Sequence, residues 1–347
     1  MSTSNIKDVA ERAGVSISTV SKVLNNYREI PEATRNRVFR AVKGLGYVPN
    51  KSARELSSGS RQYVGLIVSS LNSWSARDEH TLRILSGVHE KCSEEGYDLV
   101  LYTTEQIKSR NMSFVDFCRY NSLCGTIVHG LDAGDSRLGE LLESPIPCVL
   151  IDTECDGANT AFVTTDNFRA ASAVADLFAR NGGGKICHVT GSPAAGITAR
   201  RRAGFLSGAK NGGIPEEDII ETPGLFNMDV AYWNIRETIA RNGDLTAVFA
   251  SSDLMALGVF RALKELGLAV GKNFSLVGFD GLTALEYTDP PIASVIQDFY
   301  GMGRLAVETL LKISCGEPFE QKNFVDFKLE ERKSIAGRGE TGTVQLS

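Results

Sequence analysis

Six residues suited to the surface of a nucleic acid fall close together near the start of the chain: Ile17, Ser18, Thr19, Ser21, Lys22 and Asn25. A lysine ammonium can donate to guanine O6 and N7, and short hydroxyl or amide groups fit phosphate oxygens. Ile17, Ser18 and Lys22 are therefore expected at base edges, and Thr19, Ser21 and Asn25 at the sugar-phosphate backbone. Lysine lacks the two-pronged fork of arginine, so discrimination at its base should be softer. Two helices must hold these groups. Ile6, Val9, Ala10 and Ala13 form one apolar face of a first helix. Gly14 follows, where a tight turn between helices needs φ > 0. Ser16 is a good N-cap for a second helix, whose buried side is Val20, Val23 and Leu24. Val9, Val15, Val20 and Val23 read as core. Two short helices around a glycine turn are a helix-turn-helix unit, whose second helix enters the major groove of duplex DNA. Ile30 and Pro31 open a third helix with a buried stripe of Val38, Ala41, Val42 and Leu45, ended by Gly46.

Charge supports a nucleic-acid partner at this end. The chain has 347 residues, 42% of them apolar and 23% charged, which suits two or three globular domains. Its net charge of −5 conceals an asymmetry. Residues 1–60 carry ten Lys/Arg against five Asp/Glu, and the remainder carries 27 against 37. A basic head on an acidic body puts the phosphate attraction at one end. The start is polar and no apolar run reaches about 18 residues, so neither a signal peptide nor a membrane span is expected. The seven cysteines (92, 118, 124, 148, 155, 187 and 315) form an odd set with no Cys-x-x-Cys pair. That argues for a reducing compartment, the bacterial cytoplasm with its nucleoid, and against a disulfide framework or zinc site.

Other function classes fit less well. The four histidines (80, 89, 129, 188) lack metal-ligand spacing, and there is no Gly-x-Ser-x-Gly or Walker loop. Gly301-x-Gly303-x-x-Ala306 mimics a dinucleotide fingerprint, but lacks its strand–turn–helix context and reads as helix packing. No enzyme, cofactor or metal is expected. A solute-binding protein without a DNA role is the alternative, and it predicts a secretion signal and no basic head.

The segment Tyr47–Gly59 contains Pro49, Asn50 as a possible cap, and only about eight residues before Ser-Ser-Gly. A helix that short is marginal alone and should order only when something packs on it. From Tyr63 strands and helices alternate. Strands are expected at 64–70, 97–102, 125–129, 148–152, 161–164, 185–189, 247–250 and 275–279. Helices are expected near 112–120, 138–142, 167–180, 200–210 and 254–266, with another reaching about Glu95. This alternation marks parallel sheets covered on both faces. The fold class is therefore α/β: an all-α helix-turn-helix head at 1–49, a hinge and linker at 50–62, and a two-lobed body at 63–347 with a cleft between lobes. The tail from Arg338 is Gly/Thr-rich and should fray.

Together the head, hinge and lobes resemble the lactose-repressor/galactose-repressor (LacI/GalR) family over nearly the whole chain. The resemblance rests on Asp-Val-Ala-x-x-Ala-Gly-Val-Ser-x-x-Thr-Val-Ser at 8–21, Gly-Tyr-x-Pro-Asn at 46–50 and Ala-Arg-x-Leu at 53–56. In the body it rests on Asp166-Asn167, Arg201-x-x-Gly204-Phe205, Ser252-Asp253-x-x-Ala256-x-Gly258, Gly278-Phe279-Asp280, and Pro290-Pro291 followed by Gln297 and Gly303. It implies a periplasmic-binding-protein-like body, with a first lobe of about 63–164 plus 293–326 and a second of about 165–292. Connections between lobes would fall near 165, 293 and 325. It implies a homodimer on a near-palindromic operator. Only Leu346 follows Leu329, too few leucines for a tetramerising heptad. Two copies of Leu56 would wedge into the minor groove, with Lys51, Ala53 and Arg54 beside it near phosphates.

The resemblance also implies an effector in the cleft, held by Arg201 and Asp280, with Asp166, Phe226, Ser252 and Gln297 as further candidates. A guanidinium and a carboxylate facing one cavity suit a hydroxyl-rich ligand such as a sugar or sugar derivative. The usual Asn-Pro-Phe-Phe after the first body strand is absent; Asn72-Ser73-Trp74 stands there, and Trp74 could stack on a sugar face or serve an interface. The implied function is a DNA-binding regulator, a repressor in the usual case. Its effector would change the lobe angle and so fold or melt the paired hinges on the operator.

Overall fold

The computed structural model describes residues 5–24, 30–45, 63–69, 77–131 and 136–337. The chain divides into two units, 1–62 and 63–347. Among the described residues of the first, three helices, α1 (Ile6–Ala13), α2 (Ile17–Leu24) and α3 (Glu32–Leu45), enclose a small core. Val9, Val20, Val23 and Val38 are fully buried there, with Val15 partly buried against them. Asn5 caps α1 in a reciprocal box with Asp8. Gly14 adopts φ 63°, the left-handed turn that a side chain would resist. Ser16 caps α2, its Oγ accepting from the Thr19 N–H at 3.1 Å.

The body holds two six-stranded sheets. The first lobe contains β1 (Tyr63–Val68), β2 (Asp98–Thr103), β3 (Leu123–His129), β4 (Cys148–Ile151) and β5 (Thr160–Thr165). Its helices are α4 (Arg77–Glu94), α5 (Thr104–Ser109), α6 (Phe114–Tyr120) and α7 (Ser136–Leu142). The second lobe contains β6 (Lys185–Thr190), β7 (Ile219–Pro223), β8 (Leu245–Ala250), β9 (Ser275–Asp280) and β10 (Ala293–Gln297). Its helices are α8 (Asn167–Arg180), α9 (Gly196–Asn211), α10 (Met228–Arg241) and α11 (Asp253–Glu265). The chain ends with α12 (Phe299–Cys315), β11 (Lys322–Val325) and β12 (Phe327–Glu330).

The sheet orders are β11-β5-β4-β3-β1-β2 and β12-β10-β9-β8-β6-β7. Strands buried on both faces explain the apolar runs, such as Val-Gly-Leu-Ile-Val in β1. Pairing is parallel among these strands except for β12, which lies antiparallel to β10. Three passages link the lobes: after β5 near residue 166, between β10 and α12 near 298, and between β11 and β12 near 326.

This corrects the expectation that the chain from 293 returns to the first lobe. β10 pairs with β9 in the second lobe, and only α12 and β11 cross back. The final segment also belongs to the second lobe: Ser334 Oγ donates to the Leu276 carbonyl and accepts from Ala293 N–H. The sequence reading offered no elements between 211 and 245, where β7 and α10 form. Gly303 proves to be a packing residue: a Cβ there would sit 2.3 Å from the Ile84 carbonyl oxygen of α4.

Candidate functional site

A cavity of about 620 Å³ lies between the two lobes of the body. It opens at the carboxyl ends of the parallel strands, where ligands of open α/β sheets bind. Ser69 follows β1, His129 ends β3, Asp152 follows β4, Ser252 follows β8 and Asp280 ends β9; all five line the space.

Arg201 reaches the cleft from α9 because α9 packs close on α8. Gly204 makes that approach possible, since a Cβ there would lie 2.1 Å from the Phe168 carbonyl oxygen. Arg201 is 1% exposed. Its Nε donates to Asn167 Oδ1 at 2.7 Å, its Nη1 donates to the Ser251 carbonyl, and its guanidinium lies 3.7 Å from the Phe279 ring centroid. Nη1 also faces Asp280 Oδ1 at 3.8 Å. Its neighbours Arg200 and Arg202 are exposed and paired with Glu154 and Glu221. Of the three consecutive arginines, Arg201 is the one that lines the cavity.

Asp280 has φ 129°, an unusual conformation for a side-chain-bearing residue, and Gly281 follows at φ 83°. Asp253 holds this turn: its Oδ2 accepts from the N–H groups of Gly281 and Leu282 at 2.7 and 2.6 Å. Asp280 Oδ1 accepts from Gln297 Nε2 at 2.9 Å. Burial pushes the carboxyls of Asp280 and Asp253 up to about 7, with Arg201 opposing the rise at Asp280. The two carboxyls titrate as a pair.

Phe226 lines the cavity and also packs inward. It is half-buried against the second-lobe core, and its ring covers Gly191, where a Cβ would be 2.1 Å from Cζ. Ser252 lines the cleft while capping α11, its Oγ accepting from Met255 N–H at 3.3 Å. Asp166, also expected at the effector, is not part of this cavity wall. It caps α8 through Arg169 N–H at 3.0 Å and borders a separate pocket of about 140 Å³ with Glu154, Arg200 and Lys322.

Three titratable residues that motif reading passed over also line the cavity: His80, His129 and Asp152. The strand-end rule could have found His129 and Asp152. His80 stacks on Phe299 with ring centroids 4.4 Å apart, and burial holds its pKa down at about 4. Burial lowers His129 too. Both imidazoles are therefore uncharged at neutral pH. Asp152 accepts from Thr164 Oγ1 at 2.7 Å.

In the head, Ile17, Ser18 and Lys22 are exposed on α2, while Thr19 and Ser21 are half-buried. Ser16 Oγ lies 2.8 Å from both Ser18 Oγ and Thr19 Oγ1, so these hydroxyls also build the N-terminus of the helix. Asn25, Lys51, Ala53, Arg54, Leu56 and Trp74 lie outside the described residues. Among the described residues no cluster of His, Cys, Asp or Glu could hold a metal ion, and no helix is long and apolar enough to cross a membrane.

Residues 5–50 match the family model described as bacterial regulatory proteins, lacI family, and residues 175–335 match a periplasmic binding protein-like domain. The chain is 30% identical over 336 residues to the HTH-type transcriptional repressor PurR of Klebsiella pneumoniae (strain 342), covering 95% of this chain and 96% of that one. It is 29% identical to the HTH-type transcriptional regulator MalR of Clostridium butyricum, covering 95% and 98%. Among solved structures it resembles a Lac repressor dimer bound to operator and an anti-inducer, with TM-score 0.80, 25% identity and coverage of 96% and 100%. It also resembles a CelR–cellobiose complex, with TM-score 0.72, 27% identity and coverage of 95% and 99%. These relatives are transcriptional regulators, and this chain belongs to the LacI family of bacterial regulatory proteins, with a DNA-binding helix-turn-helix head and a ligand-binding body.

Proposed function

We propose that a homodimer of this chain represses transcription from a near-palindromic operator, and that a hydroxyl-rich small molecule in the interlobe cavity sets its operator affinity. The observation that carries the effector reading is the buried Arg201–Asp280 pair on a 620 Å³ cavity whose walls come from both lobes. Guanidinium, carboxylate and side-chain amide groups converging beside Phe226 suit a saccharide, with hydroxyls for the polar groups and an apolar ring face for the aromatic. The CelR structure holds cellobiose, which supports a sugar. A ligand gripped by both lobes favours one lobe arrangement over others, and that difference in affinity is the only source of a switch.

In the head, exposed Ile17, Ser18 and Lys22 are the groups we assign to base edges, with Thr19 and Ser21 near phosphates. The Lac repressor relative, captured as a dimer on its operator, supports a palindromic site. The test is selection from random duplex DNA by the full-length protein, repeated with a library of neutral saccharides. The expected result is an inverted-repeat site whose affinity changes with at least one saccharide and no longer changes in Arg201→Lys. Recovery of no sequence preference would refute the DNA assignment. A saccharide response unaltered in Arg201→Lys would refute the cleft.

A further inference from the structure

We infer that His188, Ser251 and Glu221 form a positioning relay, buried at His188 and Ser251, that fixes Arg201 and couples the effector cleft to an ion pair on the outer face of the second lobe. The inference rests on the reading of Arg201 as a cleft contact. It concerns a histidine that no motif explains. His188 lies in the middle of β6, fully buried, in a strand otherwise built as Lys-Ile-Cys-x-Val-Thr. Its ring is stacked on Phe249 at 4.9 Å and 9°, with Phe205 at 5.1 Å on a tilted approach. A phenylalanine or leucine would fill this layer without the cost of burying two polar nitrogens. The nitrogens therefore need an account.

Nε2 lies 2.7 Å from Ser251 Oγ, a buried contact. Nδ1 faces Glu221 Oε1 on β7 at 3.5 Å, an electrostatic contact without the geometry of a hydrogen bond. Both oxygens of Glu221 accept from Nε of Arg202, at 2.8 and 2.9 Å. On the other side, the Ser251 N–H donates to the Val189 carbonyl, and the Ser251 carbonyl accepts from Arg201 Nη1. The connection thus runs Arg202–Glu221–His188–Ser251–Arg201–Asp280. Arg201 and Arg202 are consecutive on α9, so the relay holds the helix by one arginine at the surface and by the next in the cleft.

Charge fixes which ring nitrogen carries the proton, and with it the direction of the Nε2–Ser251 hydrogen bond. Burial lowers the His188 pKa, so the ring is neutral, and Glu221 is held down at about 2 by His188 and Arg202. A neutral imidazole beside an ionised carboxylate keeps its proton on Nδ1. Nε2 then accepts from the Ser251 hydroxyl. The order serine–histidine–glutamate is that of a hydrolytic relay, but Ser251 is 1% exposed and is absent from the cavity wall. No substrate reaches its hydroxyl, and the group it presents toward the cleft is its carbonyl. It acts through Arg201.

The test uses the full-length protein and nitrogen-detected NMR of the His188 ring and the Arg201 Nη1–H group. Ser251→Ala removes only the hydroxyl, and His188→Phe keeps the stacked ring. Each is expected to speed solvent exchange of the Arg201 Nη1–H that donates to the Ser251 carbonyl about tenfold, the protection of one buried hydrogen bond. The double variant should show the same tenfold change, since both substitutions break one chain. Glu221→Gln should move the ring proton from Nδ1 to Nε2, and a merely space-filling histidine would not report this. An unchanged Arg201 signal in a folded Ser251→Ala overturns the relay, as does a ring proton on Nε2 in the parent. Should His188→Phe fail to fold, Ser251→Ala and the parent tautomer still decide. These outcomes involve no ligand, so they stand apart from failure of the cleft reading, which Arg201→Lys tests with saccharides.

Discussion

Nε2 of His80, on α4 of the first lobe, lies 4.0 Å from Oδ2 of Asp280, at the end of β9 in the second. The contact spans the cleft, and burial keeps the imidazole neutral by lowering its pKa from 6.5 to about 4. Between those values the unfolded chain binds a proton at this residue and the folded chain does not. Stability from His80 is therefore present above pH 6.5 and is lost as pH falls toward 4. Asp280 and Asp253, raised to about 7, act with the opposite sign in the same window. Both carboxyls are present in parent and in His80→Phe, so the difference between the two proteins isolates the histidine. Urea unfolding at pH 7 and pH 4 should show the parent losing about 3 kcal/mol relative to His80→Phe. A difference that stays constant with pH would show that His80 titrates normally.

Arg201 is buried with three polar partners and an aromatic face, and it supplies the opposite charge to Asp280. Removing it leaves a carboxyl group buried without its cation and the Asn167 and Ser251 oxygens without a donor. Arg201→Ala should cost about 3–5 kcal/mol, far beyond a surface arginine. Arg200→Ala, one residue earlier, breaks an ion pair whose side chains are 56% and 43% exposed, and should cost under about 1 kcal/mol. Urea midpoints of the two variants check the contrast; equal losses would mean that burial at 201 is not what distinguishes these neighbours.

Much of this organisation was legible in local pattern. The glycine turn, the Ser16 cap and the valine core of the head follow from helical periodicity, and so do most of the long body helices, although α10 was missed despite its Asn227 cap. What was not legible came from competition between neighbouring elements. β10 carries the same apolar pattern whichever lobe it joins, and only its pairing with β9 and β12 decides. β7 is a five-residue edge strand ending in Pro223, too short to signal itself. In the cleft, Arg201 and Asp280 stood out because motifs carry them. His80 and His129 did not, because a histidine becomes a site residue only when two distant strands and a helix bring it to one cavity. Asp166 shows the same ambiguity: an aspartate before a helix is equally a cap, and here one of its oxygens caps α8.

Asp253 deserves a prediction separate from Asp280, although both are buried acids of the same turn. Its Oδ2 satisfies two backbone N–H groups, and its Oδ1 accepts from Ser294 Oγ at 2.7 Å. Asp253→Ala strands two buried donors and releases the segment that holds Asp280 at φ 129°. The expected loss is about 2–4 kcal/mol. Asp253→Asn keeps one acceptor for the backbone and should lose about 1 kcal/mol. Calorimetric or urea unfolding of both variants tests this ordering, and an alanine variant as stable as the asparagine one would remove Asp253 from its role as turn support.

The head offers a test free of packing changes. Gly14 sits at φ 63°, and a Cβ built there meets no atom within 4 Å. Substitution therefore costs conformational energy and nothing else, about 1–2 kcal/mol for alanine in the left-handed region. Asparagine tolerates that region better and should cost less. Because α1 and α2 meet through this turn, the loss should appear as faster amide exchange at Val9 and Val20, both fully buried. Hydrogen exchange on the full-length protein should show roughly tenfold less protection there in Gly14→Ala, a smaller change in Gly14→Asn, and none at Val149 or Val248 in the body cores. Equal protection in all three proteins would mean that the turn is not held in the left-handed conformation in solution, and the positioning of Ile17, Ser18 and Lys22 at the start of α2 would need a different cause.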